Sequence, residues 1–148
     1  MTADKSLSLF QTPMNPTFTS SCGIILFAHG SRDPLWPLPI EAVAAQISAR
    51  QPDTLVRCAY LEMCAPTLLE AADALVAAGA RQLRIFPLFL GVGKHAREDL
   101  PLLIEELGRA HPDIAIELLQ AAGEYSQMTA LLADLALTAS ASATLQET

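Results

Sequence analysis

His29 and His95 stand out because each lies in a segment with other groups able to handle a metal ion. His29 opens the stretch His29-Gly30-Ser31-Arg32-Asp33-Pro34. His95 closes the stretch Pro87-Leu88-Phe89-Leu90-Gly91-Val92-Gly93-Lys94-His95, and a carboxylate, Glu62, lies in Leu61-Glu62-Met63-Cys64-Ala65-Pro66. Two imidazoles and a carboxylate with coordination positions left open suit a borderline divalent metal. Each residue also has a plainer reading. A histidine after a strand is often a loop residue or a helix cap, and Glu62 alone reads as a solvated or helix-entry charge. Arg32, Lys94 and Arg97 are either ordinary surface charge or a cationic rim for a substrate bearing carboxylates. Gly30, Gly91 and Gly93 are turn glycines, or they let backbone N–H groups approach an anion; their spacing is neither a Walker nor a Rossmann pattern. Cys64 reads as a buried free thiol, with metal contact the alternative. His111, before Pro112, is expected to pair with a helix C-terminus.

These segments need a frame that brings them together, and the pattern of the chain supplies one. Gly23–Ala28 is a short apolar run of the kind found in strands buried on both faces. Helical periodicity over Pro37–Arg50 follows, then a strand over Thr54–Tyr60. A helix over Pro66–Ala78 stops at Gly79, and Gln82–Phe86 is the third strand. Ala96–Ala110 is helical, with Pro101 expected in its first turns, where a missing N–H is tolerated. Asp113–Leu118 is the fourth strand and Glu124–Leu137 the last helix. Four strand-then-helix units predict an α/β domain: a four-stranded parallel sheet with right-handed crossovers and helices on both faces. Such sheets bind ligands beyond the carboxyl ends of their strands, where the strand order switches. His29, Glu62 and His95 all follow strands and therefore fall on that edge.

The 148 residues, 51% hydrophobic and 17% charged, suggest one domain with a packed core. Residues 1–21, rich in Ser, Thr and Pro, read as a flexible N-terminal arm, 22–137 as the domain, and 138–148 as a C-terminal tail. The net charge of −7 disfavours nucleic acid and anionic membrane as partners. Apolar runs fall short of the ~20 residues of a membrane span, and the N-terminus is a poor secretion signal. Three cysteines without a C-x-x-C pair argue against a disulfide framework or a cysteine zinc site and fit the reducing cytoplasm.

Taken together, Phe27–Pro34 (FAHGSRDP), Tyr60–Pro66 (YLEMCAP) and Pro87–Pro101 (PLFLGVGKHAREDLP) resemble the small sirohydrochlorin chelatases of the CbiX type, which are class II, ATP-independent chelatases. The resemblance runs from about Gly23 to Leu137. It implies a chelatase-like fold and insertion of Co²⁺ or Fe²⁺ into sirohydrochlorin for cobalamin or siroheme synthesis; related enzymes use Ni²⁺. The divalent metal is a substrate, and no further cofactor is implied. The metal-handling histidines fall on His29 and His95, and the acidic residue of larger relatives falls on Glu62. Larger relatives hold two such domains in one chain, so a homodimer with a cleft between subunits is implied here. Catalytic roles would rest on His29, His95 and Glu62. Ser31, Arg32, Lys94 and Arg97, with Leu88, Phe89 and Leu90 as apolar walls, would hold the macrocycle. Two other functions fit parts of the pattern: a non-catalytic metal or tetrapyrrole carrier, and a histidine phosphotransferase built on His29 and Arg32. The second has little support beyond those two residues.

Overall fold

The computed structural model describes residues 21–138. Apart from Ser21 and Thr138, the expected N-terminal arm and C-terminal tail lie outside the described residues. The elements run β1 (Cys22–Ala28), α1 (Leu38–Arg50), β2 (Leu55–Tyr60), α2 (Leu68–Ala77), β3 (Gln82–Pro87), α3 (Lys94–Ala110), β4 (Ala115–Leu118), a short 3₁₀ turn (Ala122–Glu124) and α4 (Ser126–Thr138). The expected α/β architecture is observed: one parallel sheet in the order β2-β1-β3-β4. The chain winds one way from β1 to β2 and the other way through β3 to β4. Right-handed crossovers then put α1 on one face and α2 with α3 on the other. Among the described residues, no helix is long and apolar enough to cross a membrane.

Alternation along the strands sends Ile25 and Phe27 of β1 to the same side as Ala59, Leu83 and Ile85. There they join Leu68, Ala71, Ala72 and Leu75 of α2 and Ala96 and Leu107 of α3 in one buried cluster. The opposite face is more thinly covered. Neither α1 nor α4 has a buried residue, and Leu38, Val43, Leu131, Leu132, Leu135 and Leu137 are all exposed. α4 follows directly on the 3₁₀ turn, and the Tyr125 ring between them packs edge-on against Phe86 of β3.

Local chemistry sets the element ends. α2 starts at Leu68 because the Thr67 side chain accepts a hydrogen bond from the Glu70 N–H at 3.2 Å. It ends where Gly79 adopts φ +107, with Ala80 N–H donating to Leu75 and Gly79 N–H to Val76, both at 3.0 Å. That pair of bonds is a Schellman stop. Two expectations are corrected on α3. The helix starts at Lys94, not Ala96, because Gly93 takes the extended backbone of an N-cap. His95 therefore belongs to the first helical turn. Pro101 consequently sits inside the helix and denies the Arg97 carbonyl its usual donor. The last helix also begins later than expected. Tyr125 is extended and separates the 3₁₀ turn from α4.

Candidate functional site

β1 and β3 are neighbours in the sheet, yet their following connections lead to opposite faces, which opens a crevice between their carboxyl ends. His29 follows β1 at one side of this crevice. The segment from Leu88 to His95 follows β3 at the other. His29 is exposed, and its ring lies against Phe89 with centroids 4.5 Å apart; Phe89 in turn packs edge-on against Phe27 at 5.9 Å. The buried aromatic pair thus carries the imidazole as a platform. Phe89, at 2% exposure, supports His29 from the core. Leu88 is half-buried and Leu90 is 69% exposed, so Leu90 is the prominent apolar group on this loop.

The β1–α1 and β2–α2 loops are fastened to each other at the backbone. Leu61 N–H donates to the Ala28 carbonyl at 2.9 Å and Glu62 N–H to the His29 carbonyl at 3.0 Å. Gly30, at φ +99, lies so close to Glu62 that an added Cβ would stand 1.8 Å from its carbonyl oxygen. Only glycine fits there. Next to this clamp Met63 takes φ +67, and Cys64 N–H donates back to the Glu62 carbonyl at 2.9 Å, closing a tight turn around it. On the β3 side a similar approach occurs: a Cβ on Gly123 would lie 1.7 Å from the Leu90 carbonyl oxygen, and Gly123 N–H donates to Phe89 at 2.9 Å.

The predicted site residues divide accordingly. His29 and Glu62 are joined through their backbones, and His95 is on the neighbouring connection; the side chains of Glu62 and His95 are exposed without a hydrogen bond or ion pair among the described residues. No group of three or more His, Cys, Asp or Glu side chains close enough to hold a metal is present among the described residues. Ser31 shapes its own loop, its Oγ accepting from Asp33 N–H at 3.1 Å, while Asp33 Oδ1 accepts from Leu35 N–H at 2.9 Å. Arg32 and Arg97 are exposed and unpaired among the described residues; Lys94 approaches Glu98 at 3.8 Å. Lys94, His95 and Arg97 occupy the first turn of α3, which holds no acidic residue. The ammonium of Lys94 and the guanidinium of Arg97 oppose the helix dipole at about 0.3–1 kcal/mol each. An anionic ligand would relieve that cost.

Burial pushes the Cys22 and Cys58 thiols above their ordinary value, so neither is a ready thiolate for metal. Cys64 is half-buried and unbridged. Burial, with Cys58 and Glu41 adding to it, raises the Tyr60 phenol to about 12. His111 does cap α3, and it also reaches α2, with Nε2 2.7 Å from Asp73 Oδ1. Sequence reasoning missed the Phe27–Phe89 platform, Met63 and Gly123. Only the FLG and LEM runs could have hinted at them.

Residues 23–139 match the CbiX family model. The chain is 31% identical over 83 residues to a sirohydrochlorin cobaltochelatase from Methanococcoides burtonii, a match covering 56% of this chain and 63% of that protein. It is 32% identical over 92 residues to the Methanosarcina acetivorans sirohydrochlorin cobaltochelatase, covering 61% and 71%. Among solved structures, a cobalamin biosynthesis CbiX protein from Marinobacter aquaeolei superposes with a TM-score of 0.68 at 30% identity, covering 78% of this chain and 94% of that one. The sirohydrochlorin chelatase SirB of Bacillus subtilis in complex with cobalt gives 0.62 at 25% identity, covering 69% and 44%.

Proposed function

The chain belongs to the CbiX family, and on that premise we propose that it inserts a divalent metal, Co²⁺ or Fe²⁺, into sirohydrochlorin without ATP. The observation that carries this reading is the pair of histidine-bearing connections flanking the β1/β3 crevice of a domain in this family. His29, seated on Phe89, and His95, in the first turn of α3, hold the metal as neutral imidazoles and leave positions open for pyrrole nitrogens. As M²⁺ enters, the two inner N–H protons leave the macrocycle. His29 and His95 accept them once metal has moved on, and Glu62, fastened beside His29, assists as a base. Arg32, Lys94 and Arg97 pair with the peripheral carboxylates, Ser31 hydrogen-bonds at the same rim, and Leu88 and Leu90 contact the ring. Holding the ring bent supplies about 1–5 kcal/mol in enzymes of many kinds. Metal and local bases must contribute the remainder.

The reading extends to two chains forming a homodimer. Its support is the apolar residues exposed on α4, Leu131 and Leu135, and on α1, Leu38 and Val43, which stand open to solvent in a single chain. Such a surface is what an isologous interface covers. The direct test is absorbance of sirohydrochlorin mixed with metal and a catalytic amount of the chain. Turnover well beyond one equivalent supports an enzyme, whereas saturation at one equivalent makes it a carrier. Running Co²⁺, Fe²⁺ and Ni²⁺ in parallel, with protoporphyrin as control, ranks the metals and tests the macrocycle.

A further inference from the structure

We propose that Met63, to which no role is yet attached, is a substrate-contact residue: the apolar seat for one edge of the tetrapyrrole. This rests on the chelatase reading above. Met63 combines three properties that rarely coincide. It takes φ +67, a conformation a bulky side chain disfavours, inside the turn closed by the Cys64-to-Glu62 bond. It is large and apolar, yet 60% exposed. Its turn is bolted to the His29 loop by the Leu61-to-Ala28 and Glu62-to-His29 bonds at 2.9 and 3.0 Å. The clamp, and not the side chain's own preference, imposes that conformation, so the thioether is held at one place on the surface. Here the chain holds a thioether rigidly beside the residue proposed to hand over metal.

Met63 also borders a cavity of about 310 Å³ between the β1–α1 and β2–α2 loops. The cavity volume suits one edge of a macrocycle and not the whole ring. Pro34, Pro37, buried Tyr60 and Met63 give it apolar walls, while its charged groups are Arg32, Asp33 and Glu41. Asp33, although it accepts from the Leu35 N–H, and Glu41 both repel a carboxylate placed deep inside. Contact with the ring therefore falls on Met63 at the mouth of the cavity, with the peripheral carboxylate arms splayed outside it, toward exposed Arg32. Thioethers make favourable contacts with conjugated rings, often at the ring edge, because sulfur is polarisable and the side chain adapts.

The test uses the full chain and two variants. Met63→Gly removes the side chain and relieves the backbone; Met63→Leu keeps apolar bulk. Binding of metal-free sirohydrochlorin is followed by its fluorescence, insertion by kcat and KM, and Co²⁺ binding by visible absorption. We expect Met63→Gly to weaken sirohydrochlorin binding and raise KM about tenfold, the effect of losing most of one buried apolar contact. Its melting temperature should be equal or higher, and its Co²⁺ affinity unchanged. Met63→Leu should stay within about twofold of wild type. Wild-type KM in the glycine variant overturns the proposal, as does an equal loss in both variants or a parallel loss of Co²⁺ affinity. A wild-type chain that neither binds nor metallates sirohydrochlorin overturns instead the reading on which it rests.

Discussion

Replacing Gly30 by alanine should cost far more than a surface glycine substitution normally does, and the structure separates the cost into two parts. The first is conformational. At φ +99 an L-residue is strained by roughly 1–2 kcal/mol. Gly79 isolates this part: it has φ +107, and an added Cβ meets nothing within 4 Å. The second part is collision. A Cβ on Gly30 would lie 1.8 Å from the Glu62 carbonyl oxygen. Carbon–oxygen contacts settle near 3.3–3.6 Å, so one backbone must withdraw by about 1.5 Å. That movement breaks the 3.0 Å bond from Glu62 N–H to the His29 carbonyl, a loss of about 1–3 kcal/mol where the donor stays partly buried. Gly30→Ala should therefore destabilise by about 2–5 kcal/mol, against about 1–2 for Gly79→Ala, in a domain whose whole stability is about 5–15 kcal/mol. Urea unfolding of both variants beside wild type measures this. Metal insertion should fall in Gly30→Ala even where it remains folded, because His29 and Glu62 are no longer fastened together. Equal costs for the two variants would refute the reasoning.

Further outcomes can be checked in the same preparations. His95→Ala should abolish metal insertion while urea unfolding changes by less than about 0.5 kcal/mol, since the side chain is exposed and unpaired among the described residues; full activity would remove its assigned role. Leu131→Glu with Leu135→Glu should shift the molecular mass measured by light scattering from two chains to one, and an unchanged mass would exclude α4 from the interface. Burial raises the Tyr60 phenol to about 12, so its stabilising effect is complete below the ordinary value near 10 and is lost as pH rises through 12. Phenolate absorbance should show one of the two tyrosines titrating late, and that late step should vanish in Tyr60→Phe.

The fold was legible because the period of the apolar residues changes from strand to helix at punctuating residues. Ile24 to Phe27 is a short, β-branched and aromatic run that suits a strand, Gly79 stops α2, and each strand-to-helix step demands a crossover. Boundaries were less legible. The N-cap of α3 falls on Gly93, which offers no side-chain signal, so the sequence pattern puts the start of the helix after His95 rather than before it. The site was legible in its histidines, whose type and place after strands carry chemical meaning. Its supports were not. Phe89 beneath His29, and Gly123 against Leu90, depend on contacts between segments far apart in sequence. Met63 could not be foreseen either, because a positive φ at a methionine is dictated by the clamp around it and not by its own preference.

The all-parallel sheet has a consequence for how the chain reaches this structure. No two consecutive strands can close as a hairpin. Gly23 must find Leu55, Cys22 must find Gln82, and Gln82 must find Ala115, each across a full crossover. Loop closure then precedes reward at every step, which slows folding relative to a hairpin-built sheet of equal size. β1 bears the heaviest burden. It is synthesised before the other three strands, is needed at the centre, and carries the uncharged run Ile24-Ile25-Leu26-Phe27. Until β2 and β3 have left the ribosome, that run waits with both edges unpaired. It is the segment through which nascent or refolding chains would aggregate, and the one a chaperone would most usefully shield.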